Sequence, residues 1–378
     1  MPAAIHTRIS GRIERLRDCG ASPWPSAAVR VRPCVSRHDW LWAALPPALT
    51  AAVLWFPDFE IRPGFAVAVN LIIFLAAMSC RAIRGPRPGP AFAPSESARS
   101  PVSSRLSALL ALTKPFLTLL VLGTTLAGYC LGSGGRPNAA ACVVTLVGTA
   151  LVAAGALAIN EHDERDLDAR LSRTARRPIP AGRIAPATAL RFGIALWLAG
   201  LVALLAAGPV PALLAVDAAA IYLFLYTPLK RITPLATLVG AVAGALPPLI
   251  GWSAAAPLAP PAWRLFLIVF LWQIPHFLAI GWRWRDDYAA AGVPVYCALD
   301  GAGRATGLHM LNYSAAVAAV TFMGAPGGLY PAATAVLGAF LILPCIAFAL
   351  RPTGRAARRV FVATVMDMPL LLALMAAG

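Results

Sequence analysis

Asn160, Glu164 and Asp168 are spaced i, i+4 and i+8, so on a helix they line one face. They lie in the stretch NEHDERDLDARLSRTARRPIPAGR, residues 160–183. The chain has 16 acidic residues, and five of them fall between Glu161 and Asp168. Six arginines interleave or follow: Arg165, Arg170, Arg173, Arg176, Arg177 and Arg183. Three oxygen ligands on one face, beside a crowd of guanidinium groups, suit a hard divalent cation and a polyanion such as diphosphate. The same charges would also serve as an ordinary solvated loop at a helix end.

A second acidic pair, Asp286–Asp287, follows the apolar segment that ends near Gly281. Two carboxylate clusters can hold Mg²⁺ ions that bridge a diphosphate, because Mg²⁺ takes one or two carboxylates and completes its octahedron with phosphate oxygens and water. A capped helix start would equally explain this pair. The third stretch is YTPLKR, residues 226–231, whose Lys230 and Arg231 suit diphosphate or simply fix topology. Lys114 opens another apolar segment, where it can snorkel to headgroups or reach the same site. His276 lies in LWQIPHF, after Pro275, which would kink its helix and turn Gln273 and His276 inward. An ionisable residue inside a membrane segment is a functional candidate by default. Three readings of His276 stay open: haem contact, base, or a bond to a neighbouring helix. Asp217 and Asp367 also fall inside apolar segments without an assigned role.

The elements that must position these groups are membrane helices. The chain is 59% hydrophobic and 13% charged, with a mean hydropathy of +0.72, which excludes an ordinary soluble domain. The formal net charge is +16. The arginines sit in short loops between apolar runs, so positive-inside topology explains them better than nucleic acid, and no nucleic-acid partner is expected. Seven scattered cysteines form no C-x-x-C pair, so neither a disulfide framework nor a zinc site is indicated.

Residues 1–39 read as a polar Arg-rich tail, interrupted by Pro23, Pro25 and Pro33. Residues 40–80 hold two apolar runs that read as a membrane hairpin, and residues 81–111 as a Pro/Arg-rich linker. From residue 112 to 378 nine apolar segments follow, at about 112–132, 138–160, 188–207, 209–227, 235–254, 262–281, 307–325, 329–350 and 359–377. Each is close to the roughly 20 residues that cross a bilayer. Loops 133–137, 255–261 and 324–328 share one basic residue, Arg136, while the alternate loops are rich in arginine. The fold class expected is an all-α integral membrane protein, with every charged cluster on the cytoplasmic side.

Four stretches resemble the UbiA-type intramembrane prenyltransferases, and within them the haem-farnesylating branch. They are LTKPFLTLLVLGTTLAGY at 112–129, N-x-x-x-E-R-D-x-D with RTARRPIPAGRI at 160–184, YTPLKRITPLATLVGAVAGALPPLIGW at 226–252, and LWQIPHF, DDY and AGVP within 271–294. The resemblance implies nine helices around a central cavity, with polar loops and Mg²⁺ capping it. It implies transfer of farnesyl from farnesyl diphosphate to protoheme IX, giving haem O. Carried over residue by residue, Asn160, Glu164 and Asp168 match the first metal and diphosphate motif. Arg173 and Arg177 match the basic residues after it, Lys230 and Arg231 the basic pair of the later loop, and Asp287 the second acidic motif. Either Asp286 or Asp287 would hold metal, and His276 matches the branch's histidine. Glu164 replaces the Asp of the wider superfamily, and Phe116 stands where the family has Arg after Lys-Pro. The resemblance places the chain in a bacterial inner membrane, or alternatively a mitochondrial one, with the lipid bilayer, haem A synthase or terminal-oxidase assembly as partners.

Two other functions are compatible with the composition. One is a UbiA-type enzyme with an aromatic quinone-precursor acceptor. The other is a transporter with charged gates, although transporters place polar groups near mid-membrane in broken helices.

Overall fold

The computed structural model describes residues 102–323 and 328–377, and within them the only regular secondary structure is helical. The tail, hairpin and most of the linker expected before residue 102 lie outside the described residues. In chain order the helices are α1 Val102–Leu112, α2 Pro115–Gly132, α3 Ala139–Asp168, α4 Pro186–Ala207, α5 Pro209–Leu229 and α6 Ala236–Ala255. They continue with α7 Pro260–Arg283, the short α8 Arg285–Ala290 and α9 Tyr296–Leu299, then α10 Arg304–Met323, α11 Tyr330–Leu350 and α12 Gly354–Ala377.

Among the described residues, eight helices are long and apolar enough to cross a membrane: α2 to α7, α11 and α12. The helix α10 matches the seventh expected segment but is more polar, with His309, Asn312 and Ser314 along it. Many large apolar side chains stay exposed, including Leu119 at 61%, Val202 at 69% and Val336 at 68%. Exposed apolar surface on this scale is what a lipid-facing bundle requires.

Proline starts these helices and glycine divides them. Pro115, Pro186, Pro209 and Pro260 sit in the first turn, where a missing N–H costs nothing. Gly208, at φ 141°, separates α4 from α5. At the weakly charged end, Asn138 caps α3 by accepting from Ala141 N–H at 3.0 Å.

Two cores hold the bundle. Around α7, the residues Leu265, Ile268, Leu271, Ile274 and Leu278 pack with Met310 and Tyr313 of α10, Phe348 of α11 and Val360 of α12. Around α3, Val152 and Ala156 pack with Leu204 of α4 and Ala215 and Leu223 of α5. Small residues set the closest approaches, as membrane packing favours. A Cβ on Gly155 would fall 2.6 Å from the Gly193 carbonyl oxygen of α4, and one on Gly251 of α6 would overlap the Thr125 carbonyl of α2. The first of these crossings fixes α3, the helix that carries the acidic motif, against α4; the second joins α6 to α2.

One segment departs from expectation. Residues 102–111, assigned to the linker, form α1, and its Ala108 and Leu112 are fully buried. They pack with Ala158, Ile179, Ile184 and Ala189. The apolar run Leu106–Leu112 is too short to span a bilayer, so it lies against the core instead of crossing.

Candidate active site

The long helix α3 does not stop at the end of its apolar run. It continues through the charged motif to Asp168. Asn160, Glu161, Glu164 and Asp168 therefore share one stripe, and each is at most 2% exposed. Buried carboxylates demand partners, and these find them in three other segments. Glu164 pairs with Lys230, just beyond α5. Asp168 Oδ2 accepts from Arg177 Nη1 at 2.7 Å, in the basic loop after α3. Glu161 Oε1 lies 3.6 Å from Arg177 Nε and 4.0 Å from Lys114 Nζ, between α1 and α2. Burial draws the Lys114 ammonium down to about 8, with Arg177 pushing the same way and Glu161 opposing.

Asn160 is fixed at both ends of its amide. Its Nδ2 donates to Thr227 Oγ1 at 2.9 Å, and its Oδ1 accepts from Tyr222 O–H at 3.1 Å. Both partners belong to α5, where Ile221–Tyr226 winds as a π-helix. Such a turn shifts side-chain register and recurs at functional sites. Tyr226 stacks on Tyr222 with centroids 5.5 Å apart, and Lys230 Nζ lies 5.7 Å from the Tyr226 ring centroid.

The second acidic pair divides. Asp287 Oδ1 accepts from the backbone N–H of Ser172 at 3.1 Å. Arg173 donates to Tyr288 O–H oxygen at 2.8 Å, and its guanidinium lies over the Trp284 ring at 5.6 Å. The DDY turn thus closes on the basic loop. Asp286 turns away: its side chain is 95% exposed, and Arg285 Nε is 3.4 Å from its Oδ1. Arg231 donates to the Asp163 carbonyl oxygen at 3.3 Å, which ties the α5 end to α3.

His276 lies apart from this cluster. Its Nδ1 is 2.9 Å from Thr364 Oγ1 of α12. Its ring sits between Trp272, at 5.3 Å, and Phe361, at 5.0 Å. Trp272 Nε1 donates to the Thr364 carbonyl oxygen, and Gln273 Nε2 donates to the Ala241 carbonyl oxygen of α6. The Thr364 contact is the bond to a neighbouring helix expected as one of the three readings of His276. Trp282, at the end of the same helix, is core: it is 5% exposed and meets Phe348 edge-on.

Residue spacing alone missed Glu161, Tyr222, Thr227 and Tyr288. The offsets of Glu161 to Glu164 and Asp168, i+3 and i+7, are a helical-face signal that was available. The two α5 residues depend on the π-helical register, which no spacing announces.

Among the described residues, no three acid, histidine or cysteine side chains gather as a ready-made metal cage. That suits Mg²⁺, which binds through one or two carboxylates and takes its other ligands from phosphate and water. The donors of Asn160, Glu164 and Asp168 are oxygens carried on one buried face of α3. The residues therefore fit the ion together with a diphosphate. By contrast, the outward groove of about 480 Å³ between α10 and α11 is lined by groups such as Ala318, Phe322, Gly338 and Leu343, and carries no titratable residue.

Known proteins agree with this architecture. Residues 121–371 match the UbiA prenyltransferase family. A protoheme IX farnesyltransferase of Solibacter usitatus is 39% identical over 279 residues, covering 70% of this chain and 96% of that protein. One of Anaeromyxobacter sp. is 42% identical over 269 residues, covering 70% and 90%. Among solved structures, a UbiA homolog from Aeropyrum pernix superposes with a TM-score of 0.56 at 21% identity, covering 68% of this chain and 97% of that one. A UbiA homolog from Archaeoglobus fulgidus, bound to GPP and Mg²⁺, gives 0.53 at 17% identity, covering 71% and 99%. With a helical bundle of the same fold, an acid-and-arginine cluster at one end, and relatives matched over nearly their whole length, the chain belongs to the UbiA prenyltransferase family.

Proposed function

We propose that this membrane prenyltransferase moves the farnesyl group of farnesyl diphosphate onto a vinyl group of protoheme IX, releasing diphosphate and forming haem O. The observation that carries the reading is the meeting of α3's carboxylates with Lys114, Arg177 and Lys230 from three separate segments. The acceptor comes from the relatives, which are named for protoheme IX.

Asn160, Glu164, Asp168 and Asp287 would hold Mg²⁺, which when bound neutralises the charge on the departing diphosphate. Lys114, Arg173, Arg177, Lys230 and Arg231 hold the phosphate oxygens and favour loss of that charge. The C1–O bond of the allylic diphosphate breaks, and its electron pair leaves with diphosphate. The terminal vinyl carbon then supplies its π pair to C1. The cation left beside the macrocycle takes up water and loses a proton. Tyr222 and Thr227 keep the Asn160 amide from rotating. The Arg173–Tyr288 and Ser172–Asp287 bonds hold the basic loop over the site. The charged end would face the cytoplasm, in keeping with the arginine-rich loops there.

A transporter reading is disfavoured because the carboxylates and their cations gather at one end of the bundle and not at mid-membrane. The test is direct. Purified protein is incubated with farnesyl diphosphate, Mg²⁺ and either haem or 4-hydroxybenzoate, and products are separated by chromatography. Farnesylated haem is expected. Prenylated benzoate alone would move the chain to the aromatic-acceptor enzymes, and no diphosphate release at all would reopen transport.

A further inference from the structure

We infer that Glu161 is a positioning residue that sets Lys114 and Arg177 together for the diphosphate, a role distinct from that of the metal-type stripe Asn160, Glu164 and Asp168. The inference rests on the diphosphate reading above. Glu161 is 1% exposed at the end of a membrane helix. Its Oε1 faces two cations from different parts of the chain, Arg177 at 3.6 Å and Lys114 at 4.0 Å. Asp168 also pairs with Arg177 and acts on Lys114 at longer range, and Glu164 acts on both cations at longer range, but among the described residues Glu161 is the carboxylate within 4.0 Å of both.

Two like charges brought this close repel unless an anion lies between them. Diphosphate can be that anion when bound. Before binding, the role falls to Glu161. Lys114 needs the anchor for a second reason. It is the only non-glycine residue with positive φ among the described residues, at 45°, in the junction of α1 and α2. A non-glycine residue there is uncommon and stays only where its surroundings hold it. Glu161 Oε2 is buried with no hydrogen-bond partner, an arrangement that costs free energy and serves no packing purpose.

The test measures binding as well as turnover. The full chain in detergent is titrated calorimetrically with Mg²⁺ and farnesyl thiodiphosphate, a non-hydrolysable analogue. Glu161→Gln should weaken the analogue about tenfold, the loss of roughly one well-placed charged contact. Glu161→Asp should recover most of it, and the Mg²⁺ concentration for half-saturation should not change. In a cycle with Lys114→Ala, the double variant should bind more tightly than the product of the two single losses, because Glu161 acts through Lys114. Equal binding by wild type and Glu161→Gln would overturn the inference. Strict additivity in the cycle would overturn it too. A raised Mg²⁺ requirement in Glu161→Gln would make Glu161 a metal ligand instead. Should Glu161→Gln not fold, Glu161→Asp and the Lys114 cycle built on it decide the question. Failure of wild type itself to bind the analogue would sink the diphosphate reading and this inference with it, an outcome distinct from loss of the effect in Glu161→Gln alone.

Discussion

Ser172 donates its backbone N–H to Asp287 Oδ1 at 3.1 Å, although 115 residues separate them. This single bond joins the basic loop after α3 to the turn after α7. It also distinguishes two adjacent acids, since Asp286 is 95% exposed and points elsewhere. Asp287→Ala should lower turnover about 100-fold, in the range seen when one preorganised electrostatic partner is removed. Asp286→Ala should remain within about threefold of wild type. Haem O yield from membranes carrying each variant reads the difference, and equal losses would contradict the division.

Glu164→Ala and Asp168→Ala should each abolish haem O formation. The first leaves Lys230 without its buried partner, and the second removes one of the two buried partners of Arg177. Breaking such a pair costs about 3–5 kcal/mol, so the purified variants must first be shown to be inserted and monodisperse. Chelation should silence wild type and added Mg²⁺ should restore it. Full activity after chelation would exclude the metal.

Lys114 gives a pH signature. It is cationic below about 8 and neutral above. The grip on diphosphate proposed for it would therefore be present at neutral pH and lost as pH rises through that value. KM for farnesyl diphosphate should climb on the alkaline side, beginning near pH 8. Lys114→Arg keeps its charge at all accessible pH, so its KM should stay flat. A wild-type alkaline limb that survives unchanged in Lys114→Arg would show that another group titrates.

The two bonds to Asn160 predict an order of damage. Tyr222→Phe removes one donor to Asn160 Oδ1 and should cost about 0.5–1.5 kcal/mol in kcat/KM. Thr227→Val leaves the buried Asn160 Nδ2 without its acceptor and should cost about 1–3 kcal/mol. Steady-state kinetics with both substrates varied will rank them. A harmless Thr227→Val would mean the amide is held by something else.

Packing makes a stability prediction. Gly251→Ala drives a methyl into the Thr125 backbone, and Gly155→Ala into that of Gly193. Overpacking of this kind costs about 1–3 kcal/mol. Gly123, in α2, has no heavy atom within 4 Å of an added Cβ and serves as the control. Thermal unfolding in detergent should drop for the first two and not for Gly123→Ala.

The membrane bundle was legible because lipid leaves a simple mark: runs of about 20 apolar residues. Every expected segment from residue 112 onward coincides with a long helix, although α3 runs on to Asp168, beyond its apolar stretch. That extension is why the i, i+4, i+8 argument for Asn160, Glu164 and Asp168 describes one buried face. The α1 helix escaped because its apolar run is short and follows prolines and arginines. Tyr222 and Thr227 escaped because a π-helical turn moves side chains off the expected face. The distinction between Asp286 and Asp287 depends on a bond to Ser172, a contact between remote segments that no local pattern encodes.

The pairing of Lys114, Arg177 and Lys230 with Glu161, Glu164 and Asp168 sets three positive charges against three negative ones. These six side chains are therefore close to electrically balanced among themselves. A bare divalent ion would have to compete with these cations for the carboxylates, although Glu161 Oε2 has no hydrogen-bond partner. A dianionic or trianionic phosphate gains little, because each ammonium and guanidinium is engaged. Only the two arriving as one nearly neutral complex can trade places with the existing pairs without leaving surplus charge at the edge of a hydrocarbon layer. On the diphosphate reading proposed above, such a network would favour magnesium-loaded diphosphate over either component alone.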